Sequence, residues 1–175
     1  FKKIYKTALI FIFLAIVMYW SSSLMQKRVS QGLNEFFEHN SEELTSIGFR
    51  KTTLINSIEL IKDRPLLGYG TGSFEKVYSD YVLLKYNDWR SMGTSDPHNQ
   101  YVFIMLENGF LGLVVFICFL ALLYRDCSAN GDYNYLAKCI LTVFIFTSLF
   151  NSHFKTFTEA YLLSFLIGTF LSKKT

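Results

Sequence analysis

Four long apolar runs, one near the start of this chain and three crowded near its end, constrain its fold more than any other feature. They occupy residues 5–24, which contain IFIFLAIVMYW, residues 109–124, which contain LGLVVFICFLALLY, and residues 133–150 and 154–171. A helix rising 1.5 Å per residue needs roughly 20 apolar residues to cross about 30 Å of hydrocarbon. The fourth run is the weakest, because Thr156, Thr158 and Glu159 dilute its start. With 51% hydrophobic residues and 18 Phe in 175 residues, the chain reads as an all-α membrane protein. The pattern predicts four transmembrane helices, with a large helical loop between the first and the second. Its segments are 1–24, a first transmembrane helix; 25–96, the loop; and 97–175, a short helix plus three further spans.

Charge gives the orientation. Lys and Arg collect on the cytoplasmic side of short loops. Lys2, Lys3 and Lys6 precede the first run, Arg125 and Lys138 flank the link between the second and third, and Lys173 and Lys174 follow the fourth. The short opposite loop, near residues 151–155, holds only Lys155. Both termini are therefore expected in the cytoplasm and the long loop outside, in the periplasm of a bacterial inner membrane. A secretory signal is the rival reading of the N-terminus, but Ser21-Ser22-Ser23-Leu24 offers no A-x-A-like cleavage site. Phe1 reads as an interior position of a longer parent. The net charge of +3 comes without a Lys/Arg-rich run, which argues against nucleic acid as a partner. Cys118, Cys127 and Cys139 form no CxxC and lie in or beside apolar runs, so they read as reduced packing residues. His39 and His153 lack metal-ligand spacing and read as surface residues. No metal site and no cofactor motif is visible.

Within the loop, Leu54, Ile58 and Ile61 repeat at helical spacing until Asp63-Arg64-Pro65 ends the helix. The Gly68–Gly72 stretch reads as a tight turn, because position 73 is Ser and neither a G-x-G-x-x-G nor a P-loop is completed. A second helix is expected over Phe74 to Leu84. The sharpest local signal is Ser95-Asp96-Pro97-His98-Asn99. Asp96 suits an N-cap and Pro97 the first helical position, which would put His98 in the first turn of a helix running to Asn108, with Gly109 as its stop. The positive end of that helix would disfavour imidazolium and leave a neutral ring able to accept a proton from a hydroxyl. The residues alone leave open a plainer reading, a polar side chain at a membrane surface. Arg50 and Arg64 carry forks of donors suited to phosphate, or belong to a solvated helix face that also bears Glu59, Lys62 and Asp63.

Phe49-Arg50, then IELIKDRPLLGYGTG and Phe74, resemble an Arg-containing helix followed by P-L-x-G-x-G-x-G-x-F. His98-Asn99-Gln100-Tyr101, then Leu106-Glu107-Asn108-Gly109 and Leu111-Gly112, resemble H-N-x-Y/F…L-x-E-x-G-x-x-G. In this order the motifs resemble those of the O-antigen ligase and polymerase family of glycosyltransferases. The resemblance implies the last part of a GT-C-like enzyme, acting on an undecaprenyl-pyrophosphate-linked glycan without a metal. It places Arg50 at the family's loop Arg and His98 at its His, as catalytic residues, with Arg64, Asn99 and Tyr101 on the substrate side. A further Arg would come from an earlier part of the parent. The acceptor would be lipid A-core for a ligase or another lipid-linked glycan for a polymerase, with membrane lipids around both. The Trp that often follows the family's loop Arg is absent; Leu54 and Ile55 occupy that region. A transporter would carry ionisable residues inside its spans, and these runs are nearly free of them. A non-catalytic interaction protein would tolerate replacement of His98 and Arg50.

Overall fold

The computed structural model describes residues 13–14, 16–37, 44–126 and 132–172, and among these the regular structure is entirely helical. The chain divides into two units, residues 1–49 and 50–175. In the first, a helical stretch ends at Ser21 and α1 (Ser23–Phe37) follows after the single non-helical residue Ser22. The Ser22 hydroxyl accepts from the Met25 amide at 3.3 Å, and the Gln26 side chain donates back to the carbonyls of Tyr19 and Trp20. One helix end and the next helix start are thus satisfied together. Residues 5–12 and 15 of the first apolar run lie outside the described residues, as do Lys2, Lys3, Lys6, His39, Cys127, Lys173 and Lys174.

Helix α2 (Ser46–Asp63) opens on Thr45, whose hydroxyl accepts from the Gly48 amide at 3.0 Å, and it stops just before Arg64-Pro65. The second unit continues with α3 (Phe74–Lys85), a 3-10 turn at Trp89–Ser91, α4 (Gln100–Asp126), α5 (Asp132–Thr147) and α6 (Phe157–Ser172). Two cores form. Leu60, Ile61, Phe74, Tyr78, Val82 and Leu106 join α2 and α3 to the first part of α4. Leu120, Ala137, Leu141, Phe144, Leu163 and Ile167 join the rest of α4 to α5 and α6. The boundary between them is Gly109, where α4 kinks at φ 63° and ψ −166°.

The buried stripe of α2 is not the one its apolar residues suggest. Ile58 is 43% exposed, whereas Thr53, Asn56 and Ser57 are fully buried beside Leu60 and Ile61. Polar residues can occupy this stripe because α3 and its C-terminal flank supply partners: the Asn56 amide donates to the Tyr78 hydroxyl, and Asn56 Oδ1 accepts from Lys85 and Tyr86. Burial without those partners would cost about 1–3 kcal/mol for each group.

Among the described residues, α4 is the one helix long and apolar enough to cross a membrane. The apolar parts of α5 and α6, Tyr135–Thr147 and Phe157–Thr169, are shorter than roughly 20 residues. Cys118 and Cys139 are free, as expected, but they are exposed on α4 and α5 and pack in neither core.

Candidate functional site

The two glycine-bearing motifs form one unit. At Gly109 the helical ladder breaks, so the carbonyls of Leu106 and Glu107 lose the amides of Phe110 and Leu111 that a continuous helix would supply. The turn after α2 replaces them. Tyr69 and Gly70 donate their amides to Leu106 and Glu107 at 3.0 and 2.7 Å, while Pro65 and Leu66 accept from Phe110 and Leu111 at 2.8 and 3.3 Å. This close approach requires glycine. A Cβ at Gly68 would lie 2.5 Å from the Leu106 carbonyl oxygen, and one at Gly109 would lie 2.3 Å from the Leu66 carbonyl. Glu107, only 4% exposed, accepts from the Phe74 amide at 3.2 Å and so caps α3, which Ser73 leaves uncapped by its side chain. A carboxylate is favoured at a helix N-terminus. The motif contains Glu107 without indicating this task; its one mark in the sequence is a charged side chain in an otherwise apolar stretch.

The His98 segment departs from expectation. Asp96 does not cap a helix that begins at Pro97. Its Oδ1 accepts from the His98 amide at 2.7 Å, a local turn that leaves His98 at φ 54°, and the helix begins at Gln100. Asn99 is the cap, with Oδ1 accepting from the amides of Tyr101 and Val102 at 3.0 Å each. His98 therefore sits before the helix and not in its first turn, and Asp96, not the helix end, is its charged neighbour: Oδ2 lies 3.8 Å from His98 Nδ1. A non-glycine residue held in the left-handed region costs of order 1–3 kcal/mol, and such residues cluster at functional sites.

The turn between α5 and α6 clamps this segment. The Asn99 amide donates to the Leu149 carbonyl at 3.1 Å, and the Tyr101 hydroxyl donates to the Ile145 carbonyl at 2.8 Å. The Gln100 amide donates to Ser148, the buried Gln100 side chain accepts from the Phe154 amide at 2.8 Å, and Lys155 donates to the Ser95 carbonyl. The turn is braced in its own right. His153 places Nδ1 2.6 Å from Glu159 and Nε2 2.8 Å from Thr147, and its ring packs against Phe144. His153 is thus engaged in a network, which corrects its reading as a plain surface residue. Asn99 and Tyr101 both have their polar atoms committed to protein partners.

The two arginines stand at opposite ends of α2. Fourteen positions at 1.5 Å rise separate their backbone positions by about 20 Å along the axis. Arg50 is exposed and makes no ion pair among the described residues. The Arg64 guanidinium carbon lies 5.0 Å from the centre of the Tyr69 ring, a cation–π contact.

A charged cluster ties α2 to α3. Lys85 and Tyr81 both bond Glu59, and they hold its carboxyl below the ordinary value of 4.5. Partial burial pulls the Lys85 ammonium down, but its bonds to Glu59, Tyr81 and Tyr86 outweigh that and raise it. Glu59 therefore contributes stability above the ordinary carboxylate range, lost as pH falls through its depressed pKa. Lys85 contributes below the ordinary lysine range, lost as pH rises through its raised one. The pair is partly exposed and worth about 0.2–1 kcal/mol. Glu59→Gln should lower the melting temperature of the purified protein by a few degrees at most at neutral pH. The deficit should shrink as pH falls below the ordinary carboxylate range and vanish once pH is below the depressed pKa of folded Glu59; a deficit that persists there would show that Glu59 acts by packing.

A family model described as O-antigen ligase matches residues 1–117, which include both motif segments. A Rickettsia conorii protein named "Putative polysaccharide ligase RC0486" is 30% identical over 91 residues, or 49% of this chain. The matched segment spans 22% of that relative's length.

Proposed function

Because the chain belongs to the O-antigen ligase family, we propose that it is the C-terminal part of a polytopic glycosyltransferase that moves a polysaccharide from undecaprenyl pyrophosphate to a sugar hydroxyl of lipid A-core. The observation that carries this reading is the clamped His98 segment: a strained histidine, outside regular structure, held beside a carboxylate and fixed from behind at several points. In this reading Asp96 favours the tautomer with its proton on Nδ1, so Nε2 is free to take a proton from the acceptor hydroxyl. The pyrophosphate leaves as an anion, and Arg50, which makes no ion pair among the described residues, neutralises it. Arg64 contacts the glycan or headgroup at the other end of α2. Asn99 and Tyr101 position the His98 segment. The alternative within the family is polymerisation, in which the acceptor is a second lipid-linked glycan. The test is transfer by the purified full-length parent between a lipid-linked glycan donor and either acceptor. Product on lipid A-core supports the ligase reading, and lengthened donor alone supports the polymerase.

Arg50→Ala in the parent should abolish transfer, and Arg50→Lys should remain badly impaired, since an ammonium cannot make the bidentate contact. Protein level in the membrane should not change. Normal product from Arg50→Ala would move the pyrophosphate role to Arg64. For topology, we place the protein in the bacterial inner membrane with four spans and the 25–96 loop in the periplasm. A reporter fused after Lys85 should be active in the periplasm and one fused near Ser128 in the cytoplasm; the reverse pattern would overturn the placement of the site.

A further inference from the structure

Helix α1 carries an exposed apolar arc and a mainly polar remainder. At 100° per residue, Met25, Val29, Leu33 and Phe37 fall on one arc, and all four are exposed, Phe37 by 75%. Lys27, Ser30, Gln31 and Asn34 occupy most of the remainder, together with the exposed Leu24, and Gln26 falls within the apolar arc. Arg28 sits at the edge between the faces. Three observations say what covers the apolar arc. Only Ser22 separates the helix from the preceding helical stretch, so, if the apolar run at 5–24 crosses the bilayer, the first turn of α1 starts where that run reaches the interface. Tyr19 and Trp20 mark that level, as aromatic residues do at membrane interfaces, and Trp20 is 74% exposed. Gln26 reaches back to the carbonyls of both residues, which holds the first turn of α1 against the end of the run. A helix standing upright from that point would turn its apolar arc to water over about 22 Å.

We propose that α1 lies flat in the outer interface of the bilayer, with its apolar arc among the acyl chains and its polar face toward headgroups and water. The large loop then begins on the membrane surface, and Arg28, at the border of the arc, extends to lipid phosphate. This rests on the membrane placement given above.

The experiment places single spin labels along α1 of the full-length parent, with native cysteines replaced, in vesicles of phosphatidylethanolamine and phosphatidylglycerol. Collision with oxygen, which partitions into the bilayer, is compared with collision with a water-soluble nickel chelate. Labels at Met25, Val29, Leu33 and Phe37 should show an oxygen-to-nickel ratio several-fold above those at Lys27, Ser30, Gln31 and Asn34. High nickel collision at every position would put the helix in water. Shielding of the arc from both reagents would mean that protein covers it. Either result overturns the proposal. A label at Val17, inside the preceding run, separates the two failures: if it too collides freely with nickel, the membrane placement itself is wrong.

Discussion

Gly109→Ala should remove at least ~3 kcal/mol of stability from the second unit, the largest structural effect expected here. Two costs coincide. The φ of 63° with ψ of −166° lies in a region that is essentially glycine-only. The new methyl would also lie 2.3 Å from the Leu66 carbonyl, backbone that cannot move without releasing its bonds to Phe110 and Leu111. Two other glycines separate these terms. Gly70, at φ 106° and with no atom within 4 Å of an added methyl, carries the conformational cost alone. Gly168, in α6 with open space around it and no unusual φ, carries neither, and alanine there should be neutral or slightly stabilising. Melting of the purified parent followed by tryptophan fluorescence should therefore rank the variants Gly168→Ala, Gly70→Ala, Gly109→Ala in increasing loss. Equal loss at Gly70 and Gly109 would show that the woven contact between the two motifs contributes nothing.

His98→Ala should lower transfer about 10²- to 10⁴-fold, the usual range for lost general-base assistance. The protein should still accumulate in the membrane, because His98 is only partly buried and the one polar contact of its ring among the described residues is to Asp96 in the same turn. The backbone at φ 54° adds a control. Asparagine tolerates the left-handed conformation and keeps hydrogen bonding, but it cannot take the proton. If His98→Asn is as slow as His98→Ala, the ring acts as a base. If His98→Asn retains most of the activity, His98 orients the acceptor only. Full activity in His98→Ala would leave the interaction-protein reading as the better one.

Much of the local architecture is legible in the sequence. The expected helix over Phe74 to Leu84 is observed as Phe74–Lys85, α2 ends before Arg64-Pro65, and Gly109 punctuates α4. These follow from periodicity and from the restrictions imposed by proline and glycine, which act within a few residues. The start of α4 was not legible, because Asp96 and Asn99 are both competent caps and only the fold decides between them. Asp96 spends its carboxylate on the His98 amide, so Asn99 takes the cap. The bonds between residues 65–70 and 106–111, the clamp on the His98 segment and the polar stripe of α2 join positions far apart in the chain. No periodic pattern marks such contacts. For the candidate site, the motifs point to His98 and Arg50, with Arg64, whereas the tasks of Glu107, Gln100 and the His153–Glu159 brace are visible only in the geometry.

The most direct test of the central claim is complementation of a strain lacking its O-antigen ligase by the full-length parent, read as the ladder of lipopolysaccharide on a gel. Expression of the parent should restore the ladder, and the same parent carrying His98→Ala should not, at equal protein level. A strain that stays without a ladder under the intact parent, while lipid-linked glycan accumulates and grows longer, would contradict the ligase reading.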